Sequence, residues 1–359
     1  MKKSYILLML LLVSILVMTG CGQNTGTDQT ASANAPGVEV INADTDTDAD
    51  KLNIVVTTFP IYDWTREILG DNADGIDLTL LLDSKVDLHN YQPSVDDIVK
   101  IVSCDLFIYV GGESDAWVTD VLRNVENKDL VVINLMETLR NATGMDARDL
   151  DHKHDEQDEH EEHLDEHNHD HGEDHSYDYD EHVWLSLKNA RIFSTTIAET
   201  LCSLDPDNAE VYQDNLAAYV NKIEELDQEY RNLVDAGQTK ALVFGDRFPF
   251  SHLAEDYRLT CYAAFDGCSA ESEASFETIL SLAKQIDALA LEHIIVTESS
   301  DQALAKTIRD NTEAKNQDIL VMDSMQSMTS NDITLGKTFL SVMKDNLETL
   351  KTALSGNFG

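Results

Sequence analysis

Histidine and carboxylate side chains are concentrated in one stretch of this sequence, at residues 151–181. Eight of the twelve histidines of the chain lie in this run. Imidazole nitrogen suits zinc, copper, nickel and iron, and a mobile tether allows several histidines to reach one ion. The run has too few apolar side chains to pack as a core, so we expect a disordered loop that binds metal ions. A solvated acidic insertion is the alternative. The candidate ligands are His152, His154, His160, His163, His167, His169, His171 and His175.

Four more candidate ligands lie outside the run. His89 follows a predicted strand that ends near Leu82, Asp246 directly follows the strand ALVFG, and Asp323 ends the strand DILVMD. His182 lies just after the histidine-rich run. Ligands of open parallel sheets bind at the carboxyl ends of the strands, and two imidazoles with two carboxylates would form a site suited to zinc or manganese. Taken singly, each residue also has an ordinary interpretation as an exposed loop histidine or a turn carboxylate.

The elements that would position these side chains alternate between strand and helix in both halves of the chain. This alternation predicts parallel sheets flanked by helices. Between the halves, residues 207–234 have apolar side chains at spacings of three to five, which predicts one long helix with Asp207 as its N-cap. The predicted fold class is α/β, with two α/β lobes of parallel-type sheets, one linking helix and a metal site in the cleft between the lobes.

The N-terminus has the pattern of a secretory signal peptide. Lys2 and Lys3 precede an apolar stretch that is too short to span a bilayer comfortably, and small residues follow it. The sequence MTGC resembles the lipobox of bacterial lipoproteins, which would make Cys21 a lipidated N-terminus; a plain secretory signal is the alternative. The predicted organisation is a signal peptide at 1–20, a tether at 21–50, an N-terminal lobe at 51–206 that contains the loop 151–181, a linking helix at 207–236 and a C-terminal lobe at 237–359.

Net charge, cysteine content and one absent motif limit the classes of partner and enzyme that the sequence allows. A formal net charge of -42 argues against nucleic acid and anionic membrane surfaces as partners and favours cations. Cys104, Cys202, Cys261 and Cys268 could form one or two disulfides in an exported protein, or remain buried thiols, and their spacing does not choose a pairing. The compact HExxH motif of zinc hydrolases is absent from the sequence, which argues against that class of enzyme.

The chain resembles the substrate-binding proteins of bacterial zinc and manganese ABC transporters, from Lys51 to the C-terminus. The resemblance rests on VVTTFPIYDWTREILGD, DLHNYQPS, DEHVWLS, LDPDNAEVYQDNLAAY, VTESSDQALAKTIRDNT and VMDSMQSM. It implies two lobes joined by a long helix, with a metal held between them by His89, His182, a residue of a third motif and Asp323. Many zinc-specific members also carry a histidine-rich acidic loop before the second histidine, as this chain does.

The chain departs from the family pattern at three places. Leu88 and Glu181 precede the ligand histidines where the family commonly has proline. In the third motif, the ungapped position falls on Arg247, whose guanidinium has no lone pair to offer a metal. A shift of one residue places Asp246 there, with His252 or a water molecule as the alternatives.

These observations together predict that the protein captures zinc outside the membrane and delivers it to an ABC-transporter permease without performing catalysis. The expected protein is a monomer anchored to the bacterial cell membrane as a lipoprotein, and Mn2+ remains a possible ligand beside Zn2+. The histidine-rich run would act as a low-affinity collector that raises the local metal concentration. The alternative is a metal-binding adhesin or a metal buffer without a role in transport.

Overall fold

The computed structural model of the chain describes residues 51–71, 75–83, 88–144, 180–237, 239–265 and 274–355. The predicted signal peptide, the tether with Cys21 and the eight histidines of the run lie outside these residues. Within the described ranges, none of the helices combines the length and the apolar composition needed to cross a membrane.

The N-terminal lobe is a parallel sheet flanked by helices. Its elements are β1 (Leu52–Val56), α1 (Phe59–Leu69), β2 (Ile76–Leu80), α2 (Val95–Ser103), β3 (Leu106–Tyr109), α3 (Ala116–Leu122), β4 (Val131–Asn134), α4 (Leu135–Thr143) and α5 (Leu187–Leu204). The strand order is β2-β1-β3-β4, and every neighbouring pair is parallel. Central β1 ends in three consecutive apolar residues, Ile54, Val55 and Val56, which are all buried, as expected where helices cover both faces of a sheet.

The C-terminal lobe has the same architecture. It comprises β5 (Ala241–Phe244), α7 (Ser251–Tyr257), β6 (Thr260–Ala263), α8 (Phe276–Leu289), β7 (His293–Thr297), α9 (Ala303–Asp310), β8 (Asp318–Met322), α10 (Ser330–Thr334) and α11 (Phe339–Leu354). Its strand order is β6-β5-β7-β8, again parallel throughout. The predicted α/β fold with two parallel-sheet lobes is therefore confirmed.

One helix of 28 residues, α6 (Ala209–Ala236), lies between the two sheets in the sequence. It is about 42 Å long at 1.5 Å per residue. The predicted N-cap, Asp207, is wrong, because this residue lies inside a 3-10 turn and Asn208 is the capping position. The turn is held by the neighbouring Asp205 carboxylate, which accepts hydrogen bonds from the Asn208 amide at 2.8 Å and the Tyr212 hydroxyl at 2.6 Å.

Aromatic packing joins the two lobes at a buried junction. The Trp64 ring of α1 contacts Phe193 of α5 at 5.6 Å and Phe339 of α11 at 5.2 Å, measured between ring centroids. A second link comes from α6, where the buried Tyr230 hydroxyl donates to the Met343 carbonyl of α11 at 2.6 Å. The hydrophobic core of the first lobe therefore continues into the second lobe.

The three cysteines within the described residues, Cys104, Cys202 and Cys261, are free thiols. Burial raises the pKa of Cys104 and of Cys261 to about 12 in each case, which keeps both thiols protonated at neutral pH. The fourth, Cys268, lies outside the described residues. These three cysteines are therefore free thiols rather than members of a disulfide among themselves, with Cys104 buried and the other two partly buried.

A buried carboxylate adds a polar contact to the junction between the lobes. Asp63 of α1 has no exposed surface, accepts the backbone N–H of Phe339 at 2.7 Å and lies 2.5 Å from the Arg66 guanidinium. Burial raises the pKa of Asp63 to about 6, although the Phe339 N–H and the Arg66 charge both oppose the shift. The folded protein therefore binds a proton at Asp63 more tightly than the unfolded chain does.

This pKa predicts how stability changes with pH. Asp63 takes up its proton near pH 6 in the folded state and near pH 4 in the unfolded state, so folding is favoured below this window. As pH rises from about 4 to above 6, the contribution of Asp63 to the free energy of unfolding should fall by about 3 kcal/mol. Denaturant unfolding of metal-free protein across this range should show a fall that is smaller by about 3 kcal/mol in Asp63→Asn than in the wild type, because the raised pKa of Asp115 contributes a similar fall in both proteins.

The exposed Asp120, at 79% side-chain exposure, provides the control for losing one negative charge. Asp120→Asn should retain the pH profile of the wild type. Parallel profiles for the wild type and Asp63→Asn would contradict the assignment of this pH dependence to Asp63.

Candidate metal centre

The two predicted ligand histidines are held by short turns with buried apolar side chains. His89 lies in a 3-10 turn, Leu88–Asn90, and His182 immediately precedes the 3-10 turn Val183–Leu185. All three residues of the second turn are buried, as is Leu88 of the first. Each turn is therefore fixed by packing beside its histidine, which restricts the imidazole ring to a narrow range of positions.

The structure brings His89 and His182 together. Their Nε2 atoms are 3.3 Å apart, and their ring planes make an angle of 59°. Zinc binds histidine nitrogen at about 2.0–2.1 Å, so two nitrogens of a tetrahedral zinc site are separated by about 3.3–3.4 Å. The observed distance therefore matches one edge of a tetrahedral zinc shell.

The outer nitrogen of each histidine has its own polar partner. His182 Nδ1 lies 2.6 Å from Asp180 Oδ1, and a carboxylate oxygen only accepts, so Nδ1 carries hydrogen and the Nε2 lone pair is available to a metal. His89 Nδ1 lies 2.7 Å from the Ser114 hydroxyl, with Glu181 Oε2 at 3.9 Å. Because a hydroxyl can donate or accept, Ser114 allows His89 to donate through Nε2 to His182 without metal and to exchange tautomers when a metal binds.

The charge of Asp180 is favoured by its surroundings. Burial acts to raise the pKa of Asp180, but the hydrogen bond from His182 and the charges of His182 and His252 outweigh burial. The net pKa therefore lies below the usual value for an aspartate. A charged acceptor strengthens its hydrogen bond and makes the attached imidazole a better ligand.

Glu181, which replaces the common proline of the family, is built into the site. Its Oε1 atom accepts the backbone N–H of Ser114 at 2.9 Å. Gly112 packs directly against this carboxylate with φ at +85°, and a Cβ atom there would lie 2.4 Å from Glu181 Oε1. The close approach therefore requires glycine at position 112, both for its left-handed backbone and for the missing side chain.

Two buried carboxylate oxygens behind His89 have no hydrogen-bond partner among the described residues. They are Glu181 Oε2 and Asp115 Oδ1. The other oxygen of Asp115 accepts the Gly111 N–H at 2.9 Å. Burial, helped by the charge of Glu181 and opposed by the Gly111 N–H, raises the pKa of Asp115 to about 6. This side of the centre therefore concentrates negative charge.

The two predicted carboxylate ligands lie at the carboxyl edge of the second sheet. Asp246 follows β5 and accepts a hydrogen bond from the Thr297 hydroxyl at 2.9 Å. Asp323 follows β8; its Oδ1 accepts the Met325 N–H at 2.8 Å and its Oδ2 lies 3.6 Å from the Lys337 ammonium. In the part of the chain that the structure describes, no group of three or more His, Cys, Asp or Glu side chains is already gathered as a metal shell.

Two contacts between the lobes bring the segments around Asp323 and His252 near the histidine pair. The buried Trp184 Nε1 donates to the Ser324 carbonyl at 2.9 Å, which joins the His182 turn to the residue after Asp323. His252 Nε2 lies 3.0 Å from the Asp180 carbonyl oxygen, so this nitrogen carries hydrogen and donates. This nitrogen of His252, the alternative third ligand, is therefore not available to a metal in the described arrangement.

Several residues of the centre were not among the candidates that the sequence suggested. Glu298, at the end of β7, accepts hydrogen bonds from the Ser324 backbone at 2.8 Å and from the Ser327 hydroxyl at 3.2 Å. Burial and the charge of Asp323 raise the pKa of Glu298. Its position after a strand could have suggested it, whereas the role of Ser114 depends on contacts distant in sequence. For Asp180, which supports the second histidine, its position two residues before His182 was the one local signal in the sequence.

Two parallel-sheet lobes, a long helix and a histidine pair beside the opposed sheet edges define the class of helix-linked, two-lobed metal-binding proteins. The chain belongs to the family described as zinc-uptake complex component A, periplasmic, which it matches over residues 54–353. The members of this family are metal-binding components of transport systems, and the family is not an enzyme family.

Relatives and solved structures agree with this family. Zinc-binding lipoprotein AdcA of Streptococcus pneumoniae R6 is 32% identical over 301 residues, covering 84% of this chain and 55% of AdcA. High-affinity zinc uptake system protein ZnuA of Bacillus subtilis is 29% identical, covering 85% of this chain and 88% of ZnuA. The Zn(II)-bound ZnuA-like domain of Streptococcus pneumoniae AdcA superposes with a TM-score of 0.63 at 26% identity, covering 85% of this chain and 99% of that domain. The chain thus spans just over half the length of AdcA.

The close contact at Gly112 gives a test of how the centre is positioned. Gly112→Ala should displace Glu181 and the adjoining His182, and we expect zinc affinity to fall about tenfold, as for other changes to residues behind metal ligands. Isothermal titration with zinc measures this effect.

Gly75→Ala is the matched control, because Gly75 has a similar φ of +91° but no atom within 4 Å of its added Cβ. It should lose about 1 kcal/mol of stability from the left-handed backbone and keep its zinc affinity. Equal zinc affinities for the two variants would show that the Gly112 contact does not position the site.

Proposed function

We propose that this protein captures Zn2+ outside the membrane and delivers it to the permease of an ABC transporter for uptake. The observation that carries the proposal is the separation of 3.3 Å between His89 Nε2 and His182 Nε2, which equals the edge of a tetrahedral zinc shell. Membership of the zinc-uptake family supports the same cargo. Two imidazoles also favour zinc over manganese, which prefers oxygen ligands.

The proposed ligand set is His89, His182, Asp246 and Asp323. The Trp184 to Ser324 hydrogen bond supports Asp323, because it holds the residue after Asp323 against the turn that follows His182. Asp246 is supported by its position at the same sheet edge, two strands away across β7. A rearrangement of a few side chains would complete the shell with two oxygens, and a water molecule remains the alternative for the third position.

The remaining features of the proposal concern how the cargo is collected. Lipid on Cys21 would hold the protein at the outer face of the cell membrane as a monomer, and the tether would let it reach the permease. The histidine-rich run would concentrate zinc near the centre by effective concentration. Because none of the eight histidines of the run belongs to the proposed ligand set, we expect residues 152–175 to be dispensable for tight binding. We assign no catalytic role to the protein.

Zinc and manganese titration of the full chain, with stoichiometry, tests this function. We expect one tight zinc site that survives deletion of residues 152–175. His89→Ala should weaken this site by more than about 100-fold, beyond the 10–100-fold typical of residues that only support a ligand. His293→Ala, which removes an imidazole at the opposite end of a strand in the second sheet, should retain tight binding.

The other outcomes lead to different functions. Loss of all tight binding on deletion of the run would identify a metal buffer and exclude the histidine pair as the main site. A tight manganese site with weak zinc binding would reassign the cargo to manganese.

A further inference from the structure

The C-terminal lobe contacts the residue that supports His182 from behind. Both contacts come from the first turn of α7. The Ser251 hydroxyl donates to Asp180 Oδ2, and His252 Nε2 donates to the Asp180 carbonyl at 3.0 Å. Asp180 is therefore held through its side chain and its backbone by a helix that belongs to the other lobe.

The two oxygens of the Asp180 carboxylate have different partners. Oδ1 accepts from His182 twice, from the ring Nδ1 at 2.6 Å and from the backbone N–H at 2.9 Å. Oδ2 accepts from Ser251. A line of hydrogen bonds thus runs from α7 through Asp180 to the imidazole ring, and rotation of the carboxylate would break the contacts on both sides.

The Ser251 hydroxyl has no local structural task that would explain this contact. The N-cap position of α7 is Phe250, and no side chain caps the helix. The partner of the Ser251 hydroxyl is instead 71 residues away in sequence. The buried His182 ring is also packed edge-on against Trp184 at 5.2 Å, so a change in the Asp180 contact acts on a ring with little other freedom.

We propose that Ser251 is a positioning residue through which the C-terminal lobe sets the zinc affinity of His182. Ser251 fixes the Asp180 carboxylate, Asp180 keeps hydrogen on His182 Nδ1, and His182 then presents the Nε2 lone pair to the metal. This inference rests on the proposed function in zinc capture. It also deepens that function, because any movement of α7 away from Asp180 weakens a ligand that belongs to the first lobe.

The mechanism links zinc release to the placement of the lobes. In the described arrangement, α7 and Asp180 are in contact and His182 is a strong ligand. If a permease draws the C-terminal lobe away from Asp180, the hydrogen bond from Ser251 to the Asp180 carboxylate is lost. The imidazole then samples both tautomers, and only one of them offers Nε2 to the cargo.

The test compares Ser251→Ala with Ser251→Thr in the full chain. Alanine removes the hydroxyl and threonine retains it, so threonine is the conservative rescue. We expect Ser251→Ala to weaken zinc binding about tenfold, the lower end of the range for residues that support a metal ligand, and Ser251→Thr to stay within about twofold of the wild type. Competition with a chromophoric zinc chelator measures both affinities.

A spectroscopic readout on the metal-free protein separates positioning from packing. Nitrogen-15 NMR should show His182 protonated at Nδ1 in the wild type and in Ser251→Thr, and a mixture of tautomers in Ser251→Ala. An unchanged tautomer in Ser251→Ala would overturn the inference, as would an equal loss of zinc affinity in both variants. If the wild type bound no zinc tightly, the proposed function would fail, while the tautomer measurement would still decide the role of Ser251.

Discussion

The placement of the two lobes depends on the buried junction where α1, α5, α6 and α11 pack around Trp64. An indole in aromatic contact with both lobes restricts their relative movement, because protein interiors are close-packed and transmit displacement. The Asp63 carboxylate of α1 also fixes the position of the start of α11, because it accepts the first backbone N–H of that helix. The walls of the metal centre are therefore positioned by contacts that lie in a different part of the fold.

Within this frame, one tripeptide organises both histidines. Asp180 supports His182, and Glu181 lies behind His89 while holding the Ser114 backbone. The side chains of Asp180 and Glu181 contact different histidines of the pair, and the buried turn Val183–Leu185 that follows fixes the backbone at this place. The glutamate at position 181, where the family commonly has proline, thus adds a charged group beside the histidine pair.

The sequence predicted the elements with strong periodicity, and the candidate ligands that follow them remain a prediction. The two sheets, the long helix and the meeting of His89 with His182 could be anticipated from strand and helix patterns and from the family motifs. Short elements were missed: α10 has five residues and β6 has four, too few to establish a period. Asp207 failed as a cap because a 3-10 turn moved the start of the helix.

The supporting residues of the centre could not be predicted for a different reason. Ser251 and Asp180 are joined only when the second lobe folds against the first, and no local pattern records a contact over that separation. The same holds for the Trp184 contact with Ser324. Ligand types are visible in a sequence because metals require particular side chains, whereas the groups that aim those ligands are selected by tertiary structure.

The two unpartnered oxygens of Asp115 and Glu181 give the centre a property beyond ligand geometry. Each carboxylate accepts one hydrogen bond through its other oxygen, but a buried oxygen without a partner costs stability, and the repulsion between the two charges adds to this cost. A dication bound at the proposed histidine site would act as their counter-ion at short range, where little water screens the attraction. Among the described residues, the region behind His89 therefore holds uncompensated negative charge, and a cation bound at the proposed site would offset part of it.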